Sequence, residues 1–238
     1  MRPYPFVHAR DPSKRFFAFD MFETLVHNEM GTVLPMFEKL CTYYPGVSPE
    51  EVNGAYHDLS RRFKSVHRNR ELSICALVHH LNNRFGFSNV PEEMEDPLLR
   101  GTGLYGPAGG ALETLQYLRD KGYRIGVLSN TRYHSPVLKA ILDDCGYAEY
   151  IDAVVGSADI GYRKPAPEAY YAILSALGCP KEHDCFFCGD NPSKDYYGPL
   201  AVGFKGAVHL NPDHELRSHG IITRISDLPG LFENPPQF

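Results

Sequence analysis

Asp20 closes the apolar run Arg15-Phe16-Phe17-Ala18-Phe19 and opens the segment Asp20-Met21-Phe22-Glu23-Thr24-Leu25. A carboxylate at the tip of a buried strand is placed to attack phosphorus or an activated carbon. The resulting covalent aspartyl intermediate splits one difficult displacement into two easier ones. Far along the chain, Gly189-Asp190-Asn191-Pro192-Ser193-Lys194-Asp195 follows a second apolar run, Cys185-Phe186-Phe187-Cys188. If Asp190 and Asp195 converge on Asp20, the carboxylates repel one another unless a cation neutralises them. A hard, all-oxygen donor set with open positions predicts Mg2+. Asp195 also reads as a helix cap, and Lys164, in Arg163-Lys164-Pro165, as a surface lysine before a proline-initiated helix.

These residues need rigid elements to bring them together. Ile125-Gly126-Val127-Leu128-Ser129, Ile151-Asp152-Ala153-Val154-Val155 and Gly206-Ala207-Val208-His209-Leu210 add three more short apolar runs. Runs of this length, separated by helical periods, predict the strands of a parallel sheet buried on both faces. Helices fall between them. Leu112, Leu115 and Leu118 precede Gly122; Ser135-Pro136 starts a helix carrying Leu138, Ile141 and Leu142; and Pro165-Ala166-Pro167 starts one carrying Tyr170, Ile173, Leu174 and Leu177 before Gly178. The fold class is α/β, a Rossmann-like doubly wound parallel sheet.

About a hundred residues separate the first strand from the second, far more than a crossover requires. Their period is helical, with stripes at Leu34, Phe37, Leu40 and Cys41, at Val52, Ala55, Tyr56, Leu59, Phe63 and Val66, and at Ile74, Leu77, Val78, Leu81 and Phe85. Ser48-Pro49-Glu50-Glu51 is a capping box. The expected organisation is a sheet domain of residues 1–27 and 104–238 interrupted by a helical insert, 28–103. Gly31 and Gly101-Thr102-Gly103 are read as hinges.

Four segments, Asp20 to Leu25, Ser129-Asn130, Arg163 to Pro165 and Gly189 to Asp195, thus stand in order at strand ends, and together they resemble the haloacid dehalogenase superfamily of hydrolases. The subclass is the one with a helical cap inserted after the first motif. The resemblance implies Asp20 as nucleophile, with Asp20, Asp190 and the backbone carbonyl of Phe22 ligating Mg2+ and Asp195 assisting. It implies that Ser129 and Asn130 hydrogen-bond the transferring group, that Lys164 balances the charge on Asp20 and the substrate, and that Thr24 orients the nucleophile loop beside the substrate. Phosphatases of the superfamily carry a general-acid Asp two residues after the nucleophile; here Phe22 stands there, as an aromatic residue does in the dehalogenase branch. General acid–base catalysis is worth ~10²–10⁴ in rate. Glu23 is not assumed to substitute, because adjacent residues of an extended segment face opposite sides. Asp190, which the dehalogenases lack, and the absence of arginine between Arg15 and Arg61 favour phosphorus chemistry.

The expected activity is that of a Mg2+-dependent phosphatase acting on a small phosphorylated metabolite. A dehalogenase and a binding protein that has lost turnover are the alternatives. Lys+Arg 24 against Asp+Glu 29 gives a net charge of −5, which does not suit a nucleic-acid partner. No window approaches the ~20 apolar residues of a membrane span, and the N-terminus, with Arg2, Arg10 and Asp11, has no apolar signal region, so a cytoplasmic location is expected. The six cysteines form no disulfide or zinc spacing and are expected to be buried thiols. The run Arg61 to Arg70 reads as a solvated helix face, or one of its residues, or His79 or His80, as a grip for an anionic substrate, while His27 reads as a hinge or flap residue or a substitute acid.

Overall fold

The computed structural model describes residues 15–28, 34–213 and 220–233; Arg2, Arg10, Asp11, Gly31 and the side chain of Leu34 lie outside them. The chain enters through strand β1 (Arg15–Phe19) and a short β2 (Val26–Asn28). Four helices follow: α1 (Leu34–Cys41), α2 (Pro49–Val66), α3 (Ile74–Phe85) and α4 (Pro91–Leu99). The chain then alternates through β3 (Tyr105–Pro107), α5 (Ala111–Asp120), β4 (Tyr123–Ser129), α6 (Ser135–Asp144), β5 (Ala153–Gly156), α7 (Ser157–Ile160) and α8 (Pro167–Leu177). It ends with β6 (Cys185–Gly189), α9 (Gly198–Val202), β7 (Gly206–Leu210), β8 (Ile221–Ile222) and α10 (Leu228–Glu233).

Six strands form one parallel sheet in the order β5-β4-β1-β6-β7-β8. From β1 the chain winds outward through β4 and β5, then crosses to the other side for β6 and β7. The strand order therefore reverses around β1, and a crevice opens at the carboxyl ends there. Alternation along β1 feeds two cores. Phe17 and Phe19 join Leu115 and Leu118 of α5 on one face, and Phe16 and Ala18 join Ala169, Ile173 and Leu177 of α8 on the other. This is the expected doubly wound arrangement. Strand β5 starts two residues later than expected, because Asp152 is occupied at the edge. Its carboxylate accepts from the Ile125 amide at 2.8 Å and from Arg119 at 2.7 Å.

The antiparallel pair β2–β3 was not legible in the sequence, since three-residue strands carry almost no period. It joins the start and end of the helical segment directly beside the Asp20 loop.

Helices α1 to α4 pack their stripes together, and Leu40, Val52, Ala55, Ile74, Leu77, Val78 and Leu81 are fully or almost fully buried. The capping box at Ser48 is formed, Ser48 Oγ accepting from Glu51 N while Glu51 returns to Ser48 N. The expected stripe on α2 fails at its end. Val66 is 72% exposed and Phe63 only half-buried, because the last turns of α2 run past the neighbouring helices. Arg61, Arg62, Lys64, His67 and Arg68 are exposed there, a solvated face. Gly101 and Gly103 are required by contact as well as lying at the helical segment's exit. A Cβ on Gly101 would meet the Pro97 carbonyl at 2.4 Å, and one on Gly103 the Tyr105 ring at 2.1 Å. All six cysteines are free, but Cys41, Cys145 and Cys179 are only partly buried, while Cys75, Cys185 and Cys188 are buried.

The helical segment is tied to the sheet domain just after α2. Asn69 accepts from the Arg163 amide at 2.9 Å, Glu71 donates its amide to Gly161 at 3.1 Å, and Ile74 donates to Arg132 at 2.8 Å. Arg70 lies over the Tyr162 ring, 4.1 Å from its centroid. Between these bonds the buried Glu71 carboxylate accepts from Ser157 Oγ at 2.6 Å and pairs with Arg163. Ser157 Oγ in turn accepts from the Thr131 amide at 2.8 Å. One carboxylate from the helical segment thereby fixes both the loop after β4 and the residue before Lys164. Removing one partner of a buried ion pair costs roughly 3–5 kcal/mol; Arg163 is partly hydrated, so Glu71→Gln is expected to cost about 2–3 kcal/mol. Urea unfolding monitored by circular dichroism checks it, and a loss within experimental error would show that the pair does not hold the seam.

Candidate active site

Register places the chemistry. Phe19 lies opposite Val127 on β4 and Cys188 on β6, so Asp20 stands level with Leu128 and Gly189, one step short of Ser129 and Asp190. Neighbouring strands are about 4.8 Å apart, which brings the three strand ends within reach of one small group. The Asp20 amide donates to the Cys188 carbonyl at 2.9 Å, locking the loop onto β6.

Beyond Asp20 the chain turns back on itself. Leu25 and Val26 amides both donate to the Met21 carbonyl, at 2.9 and 3.0 Å, and Glu23 adopts a positive φ of 59°. Glu23 points outward, where its carboxylate meets His27 Nδ1 at 3.3 Å on the exposed side of β2. Neither side chain is turned inward to take the place of an acid at Phe22. The Phe22 ring packs on Tyr105, centroids 5.7 Å apart. Thr24 is fully buried, and its hydroxyl has no hydrogen-bond partner within the protein.

Lys164 is the centre of the cluster. Its side chain is 1% exposed, and Nζ donates to Asp20 Oδ1 at 2.6 Å and to Asp195 Oδ1 at 2.7 Å. The Phe187 ring lies beneath the ammonium, 5.1 Å away. Asn130 clamps the Lys164 backbone from both sides, accepting from its amide at 2.7 Å and donating to its carbonyl at 2.9 Å. The Lys164-Pro165 peptide is cis. The Asn130 side chain is therefore committed to Lys164, and what it can offer a ligand is its backbone amide. Ser129 is buried at the last position of β4.

Asp195 arrives from a wide helical turn, Pro192–Tyr197, rather than from an ordinary helix. Its second carboxylate oxygen accepts from the Asn191 amide at 3.0 Å, and Asn191 caps the turn by accepting from Lys194 N at 3.1 Å. Gly189 makes room: a Cβ there would lie 2.6 Å from Asp195 Cβ. The Tyr170 hydroxyl donates to the Lys194 carbonyl and steadies the same turn. Asp190 lies between, partly buried, with its carbonyl 2.9 Å from His209 Nε2. Tyr170, Asn191 and His209 were missed by sequence reasoning, since a tyrosine within an apolar helix and a histidine inside a strand carry no local sign of support for a distant turn.

Carboxylate oxygens of Asp20, Asp190 and Asp195 lie within 4.8 Å of one another. Burial pushes Asp20 up to about 7; Lys164 opposes this, while Asp195 and Asp190 add to it. Asp190 is also raised, by burial first and then by Asp195. For Lys164, burial favours the neutral amine but the two carboxylates outweigh it, so the group is raised and stays an ammonium. Three acids against one lysine leave a deficit of two positive charges, and the donors are all hard oxygens. That set fits a divalent ion such as Mg2+.

The helical segment also meets the loop after β4 through an aromatic contact. Arg132, two residues after Asn130, lies 4.9 Å over the Tyr56 ring of α2, and its Nη1 is screened from water with no protein acceptor. The Tyr133 hydroxyl next to it is held well above its ordinary pKa, first by burial and then by Tyr105. His79 is exposed, while His80 is half-buried with Nε2 unpartnered.

Comparison with known proteins agrees with this geometry. Residues 14–203 match the sequence model of the haloacid dehalogenase-like hydrolases. The pyrophosphatase PpaX of Halalkalibacterium halodurans is 26% identical over 84% of this chain and 91% of its own length. A phosphoglycolate phosphatase of Cereibacter sphaeroides is 31% identical over 51% of this chain, which spans about half (56%) of that relative. The fold is shared with a phosphatase of the same superfamily from Thermococcus onnurineus, at TM-score 0.57 and 21% identity, covering 92% of this chain and 97% of that one. It is also shared with a 2-haloacid dehalogenase from Pseudomonas syringae pv. Tomato, at TM-score 0.63 and 20% identity, covering 92% and 98%. With three strand-end motifs and the α7–α8 loop, which supplies the buried lysine, assembled together and a family match across most of its length, the chain belongs to the haloacid dehalogenase-like hydrolases.

Proposed function

We propose that this hydrolase is a Mg2+-dependent phosphatase of small phosphorylated metabolites, working through an aspartyl phosphate on Asp20. The observation that carries the reading is the Asp20–Lys164–Asp195 bridge with Asp190 alongside. A carboxylate trio of this charge is suited to a cation and to a dianionic phosphoryl group, and would repel a haloacid in the cation's absence. Carbon–halogen hydrolysis is the second reading, favoured by the aromatic ring of Phe22. No helix among the described residues is long and apolar enough to cross a membrane.

Mg2+, held by Asp20, Asp190, the Phe22 carbonyl and Asp195, would neutralise the acids and draw charge from the phosphoryl oxygens. The Asp20 oxygen forms a bond to phosphorus as the ester oxygen departs with its electron pair; water then attacks phosphorus, releasing phosphate and restoring the carboxylate. Lys164 holds Asp20 in line and offsets charge on the phosphoryl group. Ser129 and the Asn130 amide hydrogen-bond its oxygens, and the buried Thr24 side chain packs in the loop below. The helical segment, residues 28–103, acts as a cap over the crevice, excluding water while the first step occurs. Phe22 supplies no proton, so the leaving oxygen departs unassisted or takes its proton from the substrate or a water.

Protons and metal compete for Asp20. Because its pKa is raised to about 7 without metal, Mg2+ affinity measured by calorimetry is expected to fall as pH drops through that value. In the metal-free protein the folded state binds more protons than the unfolded chain between about 4 and 7, so stability declines as pH rises across that window. Chelator is expected to stop phosphate release. Phosphate release unchanged by chelator would refute the Mg2+ dependence, and metal-independent halide release would select the second reading.

Phe22→Asp restores a proton donor beside the nucleophile. Turnover of an alkyl phosphate is expected to rise by at least ~10²-fold, with a much smaller gain on an aryl phosphate, whose leaving group hardly needs the proton. Equal gains on the two esters, read from steady-state kcat, would mean altered binding instead of acid catalysis.

A further inference from the structure

A second group of metal-binding side chains lies at the seam between the helical segment and the sheet domain and shares no residue with the Asp20 cluster. Cys75 comes from the first turn of α3, Glu95 from α4, and His134 from the position that caps α6. Glu95 Oε1 is 2.8 Å from His134 Nδ1 and 3.2 Å from the His134 amide, and Cys75 Sγ is 3.9 Å from the same Nδ1. One donor atom from each residue lies within 4.8 Å of the others. Cys75 and Glu95 are buried, whereas His134 is partly exposed.

The electrostatics are out of balance. Glu95 is a buried carboxylate with no lysine or arginine at ion-pair distance among the described residues; its one ionisable partner of opposite sign is a histidine. An anion taken out of water needs a full counter-charge. A dication bound by a Cys75 thiolate, the Glu95 carboxylate and a neutral His134 imidazole makes the group neutral.

We infer that Cys75, Glu95 and His134 form a binding site for a borderline-soft divalent ion of the Zn2+ type. Sulfur, nitrogen and oxygen donors together suit Zn2+ or Co2+ and not Mg2+ or Ca2+. Zn2+ bonds of roughly 2.3 Å to sulfur and roughly 2.0–2.2 Å to nitrogen and oxygen put donors some 3.2–3.6 Å apart in a tetrahedron. The separations of 2.8 and 3.9 Å bracket that range, so small side-chain movements complete the site. Binding moves the His134 proton from Nδ1 to Nε2 and releases the Cys75 proton to solvent. The exposed edge of His134 gives the ion its route in and leaves a fourth position for water. Two ligands come from the helical segment and one from the loop after β4, so the ion fastens the two together.

The test is a titration of the full chain with Co2+ and then Zn2+ in excess Mg2+, which keeps the Asp20 site filled. One Co2+ per chain is expected, with a thiolate-to-cobalt charge-transfer band in the near ultraviolet that Zn2+ abolishes and that accompanies a rise in Tm. Cys75→Ser should remove the band, and Glu95→Gln and His134→Gln should each weaken Zn2+ binding by at least the ~10–100-fold typical of a lost outer partner. Circular dichroism confirms that each variant is folded, and absence of the band in the unaltered protein overturns the site without them. Absence of that band, its survival in folded Cys75→Ser, or displacement of the ion by Mg2+ would each overturn the site.

Discussion

A single buried ammonium organises this molecule. Lys164 lies between Asp20 and Asp195, within 2.6 and 2.7 Å of their carboxylates, at the point where the parallel sheet reverses its winding. Without it, two buried acids would face each other across the crevice, and both would have to take up protons or move apart. With it, one negative charge is matched and the remainder is left uncompensated. The surrounding elements serve this arrangement: β1 and β6 fix Asp20, Asn130 clamps the Lys164 backbone, and the turn at Pro192–Tyr197 delivers Asp195.

The helical segment is coupled to the same centre. Its Glu71 pairs with Arg163, the residue next to Lys164, and reaches Thr131 through Ser157. Movement of that segment would therefore be felt one residue from Lys164 and one from Asn130. β2 and β3 pair at its base, with Glu23 and His27 on their exposed side. Stability of the seam and positioning of the site are thus one problem, and a substitution at Glu71 acts on both.

Much of this was legible in the sequence, for physical reasons. Strands buried on both faces must be apolar throughout, so β1, β4, β6 and β7 announced themselves as runs, and the polar residue ending each run marked the crevice. Asp20, Ser129, Lys164, Asp190 and Asp195 came from that pattern and from the resemblance it carried. What was hidden depends on distance in sequence. Tyr170 supports the Lys194 carbonyl and Arg132 reaches Tyr56 only once the chain is folded, and neither has a neighbour that betrays it. The hold of the Asn130 side chain on the Lys164 backbone was hidden too, because a polar residue after a strand reads as facing a ligand. The end of α2 failed for the opposite reason, since periodicity reports a face and not whether anything covers it.

The central claim is that Asp20 becomes covalently phosphorylated. Mixing the Mg2+-loaded enzyme with a phosphate ester, quenching in acid and reducing with borohydride converts an aspartyl phosphate to homoserine, which peptide mass spectrometry locates. With Phe22 unable to serve as a base for the second step, the intermediate is expected to accumulate. The account predicts homoserine at position 20 alone, and none in Asp20→Asn. Release of phosphate with no reduced residue, or reduction at Asp190 or Asp195 instead, would contradict it.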